Sequence, residues 1–299
     1  MIDIAQAGEH VQDADAFHIP VVLWQYLPDV LKGAHPHPGS IPLPKLFDFG
    51  TVNVFGAPVH LELQLTKFMV LELIAALAML AIFVPLARRI RTGEPVRGRI
   101  GNFFEAILVF LRDEVARPAI GHHDADRFLP YIWSVFFFVL FCNLLGMLPW
   151  LGSPTGALSV TAALAAVTFG VVVAAGMMKY GPLRYWTGLV PHMELPLPLA
   201  IFLTPMLLVI EIAGLLIKHV VLAVRLLANM FAGHLVLAVI MGFIAATANM
   251  AIAFWAGITA VSLLGSVALS LLELFVAFLQ AYIFAFLSAL FIGMSVHQH

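Results

Sequence analysis

Charged side chains disappear from long stretches of this chain: no Asp, Glu, Lys or Arg occurs from 128 to 178, from 226 to 272, or after Glu273. Each gap exceeds the roughly 20 apolar residues that one membrane-crossing helix needs. The apolar runs predict three spans of ordinary length, at about 68–87, 129–148 and 159–177, and then two much longer helices at about 199–246 and 250–294. At 1.5 Å per residue those two would reach about 70 Å, more than twice the roughly 30 Å hydrocarbon core. Each must therefore break or tilt far from the membrane normal. Breakers are sparse: Pro205 lies near the start of the first, and Gly233, Gly242, Gly257 and Gly265 are isolated. Steep tilt is the expected solution, with the two helices forming an antiparallel hairpin that turns between 247 and 257.

Composition closes off the alternatives to a membrane. The 299 residues are 62% apolar and only 11% Asp, Glu, Lys or Arg, against about 45–50% and about 25% in an average soluble domain. A compact soluble fold, a disordered chain and a nucleic-acid binder all need more charge, and a net charge of −2 offers phosphates nothing. The chain reads as an all-α integral membrane protein with about five membrane-entering helices, and the lipid bilayer as its first partner. A single cysteine, Cys142, rules out a disulfide framework and a cysteine-ligated metal centre; a buried thiol behaves as a small hydrophobe.

Arg88, Arg89, Arg91, Arg97, Arg99, Arg112, Arg117 and Arg127 lie between the first two spans, and basic loops stay on the cytoplasmic side. The amino terminus is then outside and the carboxyl terminus inside; Lys179 and Arg184, two crossings later, agree. Within this loop Phe103, Phe104, Ile107, Leu108, Leu111 and Val115 recur at helical spacing opposite Glu105, Arg112, Asp113 and Arg117. This predicts an amphipathic helix over about 101–117, lying on the cytoplasmic face or packed on a partner subunit. Residues 1–67 lack the basic-then-apolar opening of a signal peptide and are expected to be a retained extracytoplasmic segment, with 68–299 as the membrane domain. Their histidines, His10, His18, His35, His37 and His60, are irregularly spaced, which fits a solvated Pro- and His-rich loop better than a metal site. No cofactor or metal is expected.

Only four formally charged residues follow Pro198: Glu211, Lys218, Arg225 and Glu273. A charge at the centre of a spanning helix costs about 2.5–3.5 kcal/mol even on the lenient insertion scale, so each needs a partner or a wet cavity. Glu211, Lys218 and Arg225 are heptad-spaced and drift only about 20° per step, and Asn229 lies about 40° beyond Arg225, so the four make one polar stripe. Glu211 and Lys218 fit structural pairing with a snorkelling lysine as well as function. Arg225 does not, because no acid lies three or four residues away; its counter-charge must come from another helix or another chain. On the last helix Ser266, Glu273 and Gln280 are heptad-spaced on one face with Ser270 beside them. In an antiparallel hairpin Arg225 then meets Gln280 and His234 meets Glu273 in nearly one register. An imidazole facing a carboxylate suits a proton relay. Glu72, one turn into the first span, is a candidate for lining the outer entry. Ala277, Ala281, Ala285 and Ala289 form a small-residue ridge that fits internal packing and a sliding contact equally, and Ala228 and Ala232 flank Arg225.

The run VRLLANMFAGHLVL at 224–237 resembles the signature of the a subunit of F-type ATP synthase, with its arginine, asparagine and small residues in the same order and spacing. NLLGMLP at 143–149, the Glu211/Lys218 spacing ahead of the arginine, and ELFVAFLQAYIF at 273–284 extend the resemblance over roughly 68–293. It implies a proton-translocating stator of the membrane (Fo) sector. That stator has two offset half-channels to and from the carboxylates of a rotating c-ring, and its long, tilted hairpin lies against the ring. Arg225 would face those carboxylates and keep the half-channels from short-circuiting, which supplies the missing counter-charge. His234 and Glu273 stand where many bacterial members carry the acid first and the histidine second; the exchange resembles the mitochondrial arrangement and preserves the pair. Glu211, Lys218, Asn229 and Gln280 complete the implied path. The implied partners are c-ring subunits, peripheral-stalk b subunits and other ATP synthase subunits. The implied site is an energy-coupling membrane, bacterial plasma membrane or organelle inner membrane. The chain itself would make no bond.

Two rivals use the same residues. A secondary transporter with its own substrate site predicts inverted repeats with paired interrupted helices, and no such symmetry is visible. An intramembrane hydrolase needs a motif such as HExxH or GxSxG, and neither is present.

Overall fold

The computed structural model describes the backbone of residues 16–18, 40–42, 45–54, 57–64, 66–91, 98–148, 151–189 and 197–297, and within these ranges the side chains from 66 onward other than 91 and 197–202. Ahead of the helices, β1 (Ala16–His18) pairs antiparallel with β2 (Ser40–Pro42), and β3 (Lys45–Val54) with β4 (Ala57–Gln64). The side chains of the amino-terminal histidines lie outside the described residues. From Lys67 onward the described chain is helical: α1 (Lys67–Arg91), α2 (Arg99–Phe110), a π-helical segment (Leu111–Ala116), α3 (Arg117–Ile120), α4 (His122–Gly146), a 3₁₀ turn (Pro154–Gly156), α5 (Leu158–Tyr180), α6 (Pro182–Gly188), α7 (Leu197–Ala246) and α8 (Ile252–Val296). Among the described residues five helices are long and apolar enough to cross a membrane: α1, α4, α5, α7 and α8. The chain is a multi-pass integral membrane protein whose described part is all-helical from Lys67 onward.

Four of the five long helices start earlier than the apolar runs suggested, and α8 starts two residues later. α1 begins at Lys67 and α4 at His122, because backbone hydrogen bonding continues through polar residues that a hydropathy reading assigns to the loop. The amphipathic element at 101–117 is three pieces rather than one, with six residues of π-helix between α2 and α3. α7 runs unbroken for 50 residues with Pro205 inside it, and α8 for 45, so the long segments do not break. The turn between them occupies 247–251, at the near end of the expected interval. Two glycines set the junctions: Gly121 (φ 97°) separates α3 from α4 and Gly181 (φ 88°) separates α5 from α6, a backbone region that side-chain-bearing residues avoid. Pro182 then opens α6, where its missing N–H costs nothing.

The chain divides into two compact units. One comprises 1–78, 141–157 and 229–275; the other comprises 79–140, 158–228 and 276–299. In the first, Asn143 Oδ1 accepts from Thr155 Oγ1 (2.7 Å) and Thr155 meets Ser153 Oγ (2.7 Å), a buried polar knot that ties the loop after α4 back onto its last turn. In the second, Phe83, Phe104 and Phe137 pack with ring centroids 4.5–5.8 Å apart, and Trp133 Nε1 donates to the Leu108 carbonyl (3.1 Å), so the amphipathic helix is held by α1 and α4. The inner-numbered end of α8 is clamped by polar contacts: Ser295 Oγ to the Val172 carbonyl and Tyr180 Oη to the Val296 carbonyl, each 2.8 Å. Gly293 admits α3 so closely that a Cβ there would collide with the Ala119 carbonyl. Ala277, Ala281, Ala285 and Ala289 are all fully buried, so the alanine ridge serves packing inside the protein and not a sliding outer contact.

Candidate functional site

In the second unit the stripe on α7 faces outward. Glu211, Lys218 and Arg225 are exposed, as are the apolar residues around them, Ile217, Val221 and Val224. Arg225 makes no ion pair and its guanidinium no hydrogen bond among the described residues. Gln280 of α8 reaches this level and is 6% exposed, but its Nε2 donates to the backbone carbonyl of Arg225 (3.2 Å), not to the guanidinium. The amide fixes the helix and leaves the charge turned away from the protein.

In the first unit Glu273 is 7% exposed, and its carboxylate lies on the bare backbone of Gly233, where a Cβ would sit 2.6 Å from Oε1. Ser266 Oγ meets Met241 Sδ at 3.6 Å, so contacts that advance along α7 retreat along α8, the order of antiparallel neighbours. His234 is half-buried, and no hydrogen bond or ion pair joins it to Glu273 among the described residues. The expected pair is displaced by one residue, because the imidazole leaves α7 about 100° round from Gly233. Glu273 Oε1 and His234 Nε2 are both buried without a hydrogen-bond partner among the described residues. A buried polar atom left so costs about 1–3 kcal/mol. Asn229 and Glu72 are half-buried in the same unit.

Two residues escaped the sequence reading. Lys67 was placed at the end of the outer segment, yet it is the first residue of α1 and 1% exposed; its Nζ sits 5.5 Å from the Phe68 ring centre. The signal was a lysine directly abutting an apolar run. His219 was passed over because it is formally neutral beside Lys218, and it is 3% exposed. Among the described residues no group of three His, Cys, Asp or Glu side chains is placed to hold a metal.

A multi-pass membrane protein whose two longest helices carry ionisable side chains, some exposed and some buried, belongs to the class that handles ions within the bilayer. Residues 69–293 match the ATP synthase A chain family. A Myxococcus xanthus protein described as ATP synthase subunit a is 42% identical over 245 residues, 80% of this chain and 76% of that protein. One from Anaeromyxobacter dehalogenans with the same description is 39% identical over 254 residues, 84% of this chain and 62% of that protein, so the chain spans less than two thirds of its length. ATP synthase subunit a 2 of Chlorobium luteolum is 38% identical over 253 residues, 83% of this chain and 70% of that protein. This chain belongs to the ATP synthase A chain family, the a subunits of the membrane sector of F-type ATP synthase.

Proposed function

We propose that this chain is the proton-translocating stator of its ATP synthase, working against a ring of c subunits and held by peripheral-stalk b subunits. Residues 68–299 form the channel domain; 1–67 and the amino terminus lie outside, and the carboxyl terminus lies in the cytoplasm. Protons enter from outside past His234 and Glu273 and pass to a ring carboxylate. After rotation they leave inside along Asn229, Lys218 and Glu211. Arg225 pairs with the deprotonated carboxylate as it passes, and Gln280 holds its helix. The α7–α8 pair lies strongly tilted along the ring, as unbroken helices of this length require in a roughly 30 Å core. Each proton crossing 100 mV delivers about 2.3 kcal/mol, and two offset half-channels turn that into one-way rotation.

The observation that carries the reading is the guanidinium of Arg225: exposed, in a long apolar helix, with no acid beside it among the described residues. An arginine facing lipid permanently would be expensive; one facing a succession of carboxylates is neutralised by each in turn. In proteoliposomes holding the whole complex, Arg225→Ala should abolish ATP synthesis driven by an imposed proton gradient. Wild-type synthesis in that variant overturns the reading.

A further inference from the structure

His219 has no part in the exchange just described, yet its surroundings suit a proton. The side chain is buried within the second unit, on α7 ahead of Arg225. Nδ1 lies 2.8 Å from the carbonyl of Leu215 one turn back. A carbonyl only accepts, so Nδ1 carries hydrogen and the neutral ring must present Nε2 as a bare lone pair. That atom is fully buried and has no hydrogen-bond partner among the described residues. Two aromatic rings enclose it: Phe169 of α5, perpendicular at 5.3 Å, and Phe291 of α8, inclined at 50° and 5.1 Å. Phenyl faces attract a cation at such distances. One pocket therefore accommodates both forms of the ring, neutral with an idle Nε2, or protonated with Nδ1–H still on Leu215 and the charge between two aromatic rings.

The groups able to interfere are few. On α7 Lys218 is adjacent and exposed, with Glu211 and Arg225 farther along the stripe. On α5 the titratable residues are Lys179, paired with Asp124 at 2.6 Å, and Tyr180, bound to the Val296 carbonyl; on α8, within this unit, Tyr282 alone. From α4, Tyr131 donates to Thr168 Oγ1 (2.8 Å), the residue next to Phe169.

We propose that His219 is an internal proton-binding site of the channel domain, taking a proton onto Nε2 and returning it to water on the cytoplasmic side of Arg225; this rests on the stator reading above. One N–H bond forms and then breaks, and nothing else changes. The test measures gradient-driven ATP synthesis by the whole complex in proteoliposomes, with the pH on the catalytic side varied and that on the other side fixed. His219→Phe keeps the aromatic packing and removes the nitrogens; His219→Gln keeps a donor for Leu215 and cannot titrate, and serves if the phenylalanine variant does not assemble. Either should lower the rate severalfold and flatten its dependence on catalytic-side pH. A wild-type rate and profile overturns the proposal, and so does a lowered rate with the wild-type profile, which marks damaged packing. Failure of the stator reading is separate: it appears as retained synthesis in Arg225→Ala.

Discussion

The charged stripe of α7 and the buried polar groups of α8 recur at steps of seven or eight residues and live in opposite surroundings. Glu211, Lys218 and Arg225 are exposed and make no ion pair or side-chain hydrogen bond among the described residues, whereas Glu273, Gln280, Ser288 and Ser295 are buried. The α8 groups find acceptors in their own chain: Gln280 on the Arg225 carbonyl, Ser288 on that of Phe284 and Ser295 on that of Val172. Glu273 is the exception, with one oxygen unbonded. Similar spacing thus encodes two solutions to polarity in lipid. A buried column satisfies itself and holds the fold; an exposed stripe is, in the proposed reading, completed by something outside the chain. The residue breaking the first rule, Glu273, is the one proposed to carry protons.

Arg225→Ala should break this comparison most sharply. Synthesis should vanish while the chain assembles normally, since exposed side chains without partners change stability by only about 0.5 kcal/mol; loss of the assembled subunit from membranes would show instead that Arg225 holds the fold. Gly233→Ala comes next. Its Cβ would stand 2.6 Å from Glu273 Oε1, so the carboxylate must leave its seat, and synthesis should fall by about two orders of magnitude, the scale of a misplaced proton-transfer group. Gly242→Ala on the same helix meets nothing within 4 Å and should synthesise normally. Ser295→Ala tests the self-satisfied column. Removing the donor to Val172 should cost about 1 kcal/mol of stability, read as a lower melting temperature of the complex in detergent, with the synthesis rate unchanged.

The membrane elements were legible because charge is absent from them, a signal that depends on composition alone. The register of α7 against α8 was legible too, since two heptad rows in antiparallel helices can align in few ways: Arg225 and Gln280 do meet. What the pattern could not supply was which atoms meet. Gln280 bonds a backbone carbonyl because the guanidinium points away, and Glu273 rests on Gly233 because a missing side chain is invisible to a reading that searches for polar partners. Lys67 was assigned to the loop because helix boundaries follow backbone bonding rather than hydropathy. His219 was overlooked because its neutrality in a formal count hides the orphaned nitrogen that only packing reveals. The π-helical turn at Leu111–Ala116 has no signature in side-chain periodicity, which differs from that of an α-helix by a single residue over the whole segment.

That turn supports the smallest predicted effect. Asp113, within it, accepts two hydrogen bonds from Arg112 (Nε to Oδ1 at 3.0 Å and Nη2 to Oδ2 at 3.1 Å) and one from Arg117 Nη1 (2.8 Å). The Arg112 hydrogen bonds, with the charges of both arginines, hold its carboxyl below the ordinary carboxylate range. A depressed folded-state value means the stabilisation is present above the unfolded value of about 3.9 and is lost as pH falls through the folded one. The cluster is solvent-exposed, so the contribution is small and weakens with salt. Asp113→Asn should leave synthesis untouched and raise amide hydrogen exchange across 111–120 slightly at neutral pH. The wild type should approach the variant's exchange as pH falls below the free carboxylate value of about 3.9 and through the lower folded one, once the intrinsic pH dependence of exchange is subtracted. Equal exchange at neutral pH would mean that the π-helical turn is held by the burial of Leu111, Val115 and Ala116 alone, and that the ion cluster merely decorates a segment fixed from its apolar side.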